Sequence, residues 1–251
     1  MPKLSEKDFL YMKEVLNEGR LAPGGFNLFL VGALTLSLMT VGIGYFVVTV
    51  ENTVIGWDNL PTFWQSIFKI QPVLFGIHIV VIFLTMMKNN FSQMLLAIAM
   101  VFFSYKMVLD PFIMISMFYI NDGVYEQYAP ITFFLIGLGF ALHIFLIIKE
   151  FIDKKKEKQK VRQKEKKVSI YFVGFLFFLV SITGYAIRNN LFGDFETLFF
   201  LAVATVVYFA VLIGAVEFVI GVYCLVRFPS FRINPPSNYA FRKTGAKKKK
   251  K

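Results

Sequence analysis

Six apolar stretches leave this chain few ways to fold: Phe26–Val50, Gln71–Met87, Phe91–Ile120, Pro130–Ile148, Val168–Ile187 and Thr197–Val226. Each is close to or beyond the roughly 20 helical residues, at about 1.5 Å of rise apiece, that cross a hydrocarbon core about 30 Å thick. Inside such a core every backbone N–H and C=O has to be bonded internally, which selects helices for segments of this length. The expected fold is all-α, a polytopic membrane protein with a bundle of six transmembrane helices. A composition that is 57% hydrophobic and 18% aromatic, with a mean hydropathy of +0.62, excludes an ordinary soluble domain.

Charge placement orients the helices. Lys149–Lys167, between the fourth and fifth stretches, holds ten basic and four acidic residues and neither Gly nor Pro. The segment from Arg227 onward holds nine basic residues and no acidic one. The positive-inside rule puts both regions in the cytoplasm, and an even number of spans then puts both termini there. Lys69 and Arg188 are left outside, Lys106 lies within a span, and every other Lys and Arg falls on the cytoplasmic side. The formal charge of +11 is thus assigned to topology and to attraction for anionic lipid, on the order of 1 kcal/mol per basic side chain near the surface, in preference to nucleic acid.

The chain divides accordingly into a surface helix and hinge (1–25), spans one to four (26–148), the basic loop (149–167), spans five and six (168–226) and a basic, partly disordered tail (227–251). In the first part, Ser5 and Asp8 have capping-box spacing, Phe9, Met12, Val15 and Leu16 recur at helical period, and Gly19 supplies a stop. Such a helix has two places to lie, the membrane surface or the protein's own cytoplasmic face. Pro23-Gly24-Gly25 follows as a hinge. Gly32, Gly42 and Gly44 in span one allow close helix approach. The outer loop Glu51–Ile70 is aromatic, with Trp57 and Trp64 as its contact residues and interfacial anchoring as their expected role. Pro61 suits the start of a short helix there. Span three is interrupted by Asp110-Pro111, so it is either one kinked helix or a helix ending near Leu109 with an interfacial piece after it. The sequon Asn90-Phe91-Ser92 falls in the cytoplasm and is discounted.

HExxH, GxSxG, Walker, GxGxxG and CxxC motifs are missing, and no catalytic residue, metal site or cofactor is expected. The single Cys224 excludes an internal disulfide and reads as a small apolar filler. What remains is a set of ionisable residues within the membrane: His78, Lys106, Asp110, His143 and Glu217. Burial there costs several kcal/mol, so each needs a partner, a cavity or water. By helical rise, His78 and Glu217 both lie about 15 Å from the cytoplasmic ends of their spans, His143 about 9 Å and Lys106 about 22 Å. The sharper expectation pairs His78 with Glu217 and Lys106 with Asp110; the plainer one has each tie two helices by a hydrogen bond worth roughly 1 kcal/mol. The 6 Å offset between the histidines argues against a bis-imidazole haem. An echo of Gly44-Tyr45 in Ser104-Tyr105 and Gly184-Tyr185, each answered by one ionisable residue on the return span, would fit three related hairpins, although the spacings differ.

These features point to a non-catalytic accessory, assembly or immunity-type subunit that binds another membrane protein, not to an enzyme. A small ion- or proton-coupled transporter or channel using the intramembrane residues is the alternative. Heavy use of Lys, Ile, Phe and Asn suits a bacterial cytoplasmic membrane; a terminal lysine cluster is also compatible with a eukaryotic endomembrane. On a Cys224→Ser background, a cysteine replacing Glu126 should react with an impermeant maleimide from outside, and one replacing Gln159 only after the membrane is opened. The reverse pattern inverts the topology.

Overall fold

The computed structural model describes residues 5–17, 21–50, 56–86, 89–156 and 195–233. Regular structure in these residues is helical: α1 (Leu10–Asn17), α2 (Pro23–Thr49), α3 (Thr62–Thr85), α4 (Asn90–Asn121), α5 (Tyr125–Lys156) and α6 (Phe195–Arg227). Single 3₁₀ turns cover Glu6–Phe9, Trp57–Asn59 and Pro229–Phe231. Helices α2 to α6 are long and apolar enough to cross a membrane. The expected span Val168–Ile187, most of the basic loop, and the tail beyond Ile233 lie outside the described residues.

One boundary differs from the sequence expectation. Helix α3 starts at Thr62, well inside the stretch read as an outer loop. Pro61 precedes it with its φ already set for a helix, and its carbonyl accepts the N–H of Trp64 at 2.9 Å and of Gln65 at 3.2 Å. The amide of Gln65 also donates to the Leu60 carbonyl at 2.9 Å and so ties the preceding turn to the helix. The polar residues Gln65, Ser66, Lys69 and Gln71 had masked this first part of the helix. Span three is a single helix with Pro111 inside it; proline removes one N–H from the ladder but leaves the neighbouring turns to carry the helix on. It ends at a glycine cap: Gly123 has φ +72, its N–H reaches the Ile120 carbonyl, and the Val124 N–H reaches the Tyr119 carbonyl at 2.9 Å. Helix α5, in turn, continues beyond Ile148 to Lys156.

The chain divides into two compact units. One comprises Met1–Leu38, Lys69–Met107 and Gly214–Lys251. In it the Thr85 hydroxyl donates to Asn27 at 2.7 Å, the Ser92 hydroxyl to the Thr85 carbonyl at 3.0 Å, and the Ile233 N–H to the Gln93 amide oxygen at 2.9 Å. The start of α2, the end of α3, the start of α4 and the end of α6 are therefore drawn together. Ser92, the sequon's third residue, is buried and committed to this network.

The N-terminal segment closes that unit. Asp8 accepts from both the N–H and the hydroxyl of Ser5, each at 2.8 Å, and starts the first turn. Phe9, Met12 and Leu16 are fully buried because they face α6 and the turn after it. The Phe9 ring lies 5.7 Å from that of Tyr223 and 6.0 Å from that of Phe228, and Leu16 rests on Gly221. The Ser230 hydroxyl donates to the Glu6 carboxylate at 2.6 Å, while the Lys13 ammonium lies 5.5 Å from the centre of the Phe231 ring and 3.9 Å from the same carboxylate. Of the two places open to this helix, it occupies the protein's own surface.

The second unit comprises Met39–Phe68 and Val108–Ile213. Gly44 meets the backbone of Met114, where an added Cβ would lie 3.1 Å from the Met114 Cα; Gly32 and Gly42 face open space instead. Tyr208 of α6 touches Phe112 of α4 and Phe140 of α5. At a second level Phe200 meets Phe118, and Tyr128 meets Tyr119. Along α4 the numbers rise from the first level to the second, whereas along α5 and α6 they fall. Helices α5 and α6 are thus both antiparallel to α4 and parallel to each other.

Phe9→Ala should lower unfolding stability in detergent by about 3 kcal/mol, the usual cost of emptying a buried phenyl site, and should make the first 20 residues protease-sensitive. Leu10→Ala, at an exposed position, is the control expected to change neither.

Candidate intramembrane site

Four of the ionisable residues expected within the membrane, His78, Lys106, Asp110 and His143, are buried, and Glu217 is half-buried. His78 is fully buried on α3, and Lys106 is nearly so on α4. The register that links Thr85 to Ser92 places the two helices side by side in opposite directions, so positions 75 and 78 of one face 106 and 103 of the other. The His78 imidazole stacks on the Phe103 ring with centroids 3.6 Å apart and planes 15° from parallel. The Lys106 ammonium sits 4.3 Å from the centre of the Phe75 ring. Each helix supplies one titratable group and one aromatic face, three residues apart, and each group lies on the other helix's ring. A desolvated cation over an aromatic face gains about 2 kcal/mol or more, part of what burying Lys106 costs.

Neither nitrogen of His78 has a hydrogen-bond partner of ordinary geometry. The Leu30 carbonyl of α2 approaches the ring. Glu217, on α6, is half-buried with interactions of its own, and His78 is not hydrogen-bonded to it. Asp110 and His143 are buried in the other unit and likewise engaged. Among the described residues no group of three or more His, Cys, Asp or Glu side chains is placed to hold a metal ion. Trp64 is buried in α3 with its ring 6.3 Å from that of Tyr125, so it lies neither in a loop nor at a lipid-facing position. Trp57 is half-buried and forms a triangle with Tyr45 and Phe68, at 5.7 Å and 6.2 Å.

A second interior feature lies between α5 and α6. The Tyr208 hydroxyl donates to the Ile136 carbonyl at 2.6 Å, and its fully buried ring occupies the volume a Cβ on Gly139 would need. Glycine at 139 is what lets this tyrosine lie across α5. Neither Phe75, Phe103, Gly139 nor Tyr208 stands out in the sequence, where aromatic and small residues are everywhere; the Phe75/His78 and Phe103/Lys106 spacing was the available signal, and only the antiparallel register gives it meaning.

Long apolar helices whose buried polar residues meet inside protein define a polytopic helical membrane protein. No protein-family model, curated protein or solved structure matches the chain, so its function has to be argued from its own residues. His78→Ala, which removes the ring stacked on Phe103, should cost about 2–4 kcal/mol of stability in detergent. His78→Phe keeps a planar ring and should cost less than about 1.5 kcal/mol. Equal losses in the two variants would mean that the imidazole nitrogens, not the stack, hold the helices.

Proposed function

We propose that this chain is a non-catalytic subunit of a multi-pass membrane assembly, with six spans and both termini in the cytoplasm, and that it binds another membrane protein. The observation that carries this reading is where the interior polar groups are spent. Thr85 on Asn27, Ser92 on Thr85, Gln93 on Ile233, Ser230 on Glu6 and Tyr208 on Ile136 each join one segment of the protein to another. Such ties stabilise helix contacts by about 1 kcal/mol each and suit a scaffold that presents its surface to a partner. The six-span topology is supported by the parallel course of α5 and α6. Each is roughly 48 Å long at helical rise, more than the thickness of a hydrocarbon core.

With the N-terminal helix engaged on the protein itself, recognition falls to the basic surface around Lys149–Lys167 and the tail, which also suits anionic lipid. A bacterial cytoplasmic membrane is the corresponding location. The buried His78 and Lys106 favour the second reading, a proton-coupled transporter.

Purification in mild detergent separates the two. A stoichiometric membrane partner that is retained by the native chain, and lost when Lys149, Lys154, Lys155 and Lys156 are replaced by glutamine with insertion unchanged, supports the subunit. A chain that purifies alone and carries pH-dependent flux in proteoliposomes overturns it.

A further inference from the structure

We propose that the seam between α4 and α6 binds one anionic phospholipid, with an acyl chain in an apolar groove and the phosphate on Arg232. The proposal goes beyond the subunit reading and does not depend on it. The groove belongs to the unit that the N-terminal segment closes. It has a volume of about 270 Å³ and is lined by Ile98, Val101, Phe102 and Tyr105 of α4 and by Val219 and Val222 of α6. Of these six side chains only Tyr105 carries a polar atom, and Ile98 and Phe102 are about half exposed. Pockets that enclose a compact ligand run to roughly 300–1,000 Å³; a smaller groove with exposed walls suits a single hydrocarbon chain lying along it.

The polar end of the seam argues for an anionic headgroup. After α6 the chain turns across to α4: the Arg232 Nε donates to the Leu225 carbonyl at 3.2 Å, and the next N–H, of Ile233, reaches the Gln93 side chain at 2.9 Å. Arg232 is therefore held where the two helix ends meet. Its two terminal NH₂ groups have no acceptor among the described residues. The Gln93 side chain is 2% exposed, and its own NH₂ likewise has none. Donors left without acceptors at one helix junction, a guanidinium fork among them, fit the oxygens of a phosphate. Glu6, the carboxylate that touches this turn, is already taken up by Ser230 and Lys13, and Lys13 adds positive charge at the same end.

The levels agree with a lipid. Ile98 lies five residues into α4 from Gln93, and Val222 five residues before the end of α6, so the groove begins about 8 Å below the polar junction and ends near Tyr105 at about 18 Å. The interfacial layer of a bilayer is roughly 5–8 Å deep, and half of its hydrocarbon core is about 15 Å. A phosphate at Arg232 thus has its acyl chain at the groove without leaving the leaflet.

The test uses the full chain in nanodiscs made mainly of phosphatidylcholine, with a minor fraction of phosphatidylglycerol carrying a diazirine in one acyl chain. After illumination, adducts are expected to concentrate on residues 98–105 and 219–222. Arg232→Gln should lower that labelling roughly five- to tenfold. Arg227→Gln, which removes the same charge about 140° around α6 from Val222, should lower it less than twofold. Val222→Trp should fill the groove and abolish the labelling with Arg232 in place; Val219→Phe serves if that variant fails to keep the native unfolding temperature. Equal labelling by a diazirine phosphatidylcholine, adducts spread evenly to the exposed Phe83 and Phe134, no change in Arg232→Gln, or cross-links from the groove to a second copy of the chain in place of lipid would each overturn the proposal.

Discussion

A charge cannot be left facing hydrocarbon, and that constraint falls most heavily on α4. This helix carries Lys106 and Asp110 within its membrane-crossing length, together with Ser92, Gln93, Ser104 and Ser116, all of them buried. Exposing them to lipid would cost several kcal/mol apiece for the charges, so the helix has to be surrounded by protein. Its most apolar window is 56% buried, against 17–33% for the other four long helices. The neighbours can afford lipid-facing sides because they are apolar nearly all round; α4 cannot. In each unit the contacts that matter then run to α4: His78 and Phe75 in one, Gly44, Tyr128 and Tyr208 in the other.

How the neighbours reach α4 follows from the absence of a hydrophobic drive between helices in lipid. Association there depends on close fit and on polar ties, and both are visible. Gly44 admits the Met114 backbone, and Gly139 admits the Tyr208 ring. Thr85, Ser92 and Gln93 gather four helix ends by hydrogen bonds. At the same end the solvent-side logic returns: the N-terminal segment buries Phe9, Met12 and Leu16 as a small soluble core would, sealed by Glu6 on Ser230. The two kinds of packing meet on α6, whose Gly221 supports Leu16.

Much of this was legible in the residues themselves, and the misses have definite causes. The apolar lengths announced the five long helices of the described residues, the Ser5 and Asp8 spacing announced the first turn, and the Phe9, Met12 and Leu16 period announced its buried face. What covers that face was not legible, since an apolar helix surface is equally suited to lipid and to protein. Trp64 was misplaced because tryptophan at a span's end is ordinarily interfacial, and nothing local records that Tyr125 stands opposite. Gly32, Gly42 and Gly44 read alike as small residues; only Gly44 faces another helix closely.

The sequence by itself determined that this is a helical membrane protein, which stretches are long enough to cross, and which residues are too polar to face lipid, because those properties depend on composition over a single segment. Only the tertiary structure decided the company those polar residues keep. His78 and Glu217 lie at similar depth, and depth is all that helical rise can give; which partner a side chain meets depends on helix rotation, order and register. The antiparallel register of α3 and α4 set His78 on Phe103 and Lys106 on Phe75.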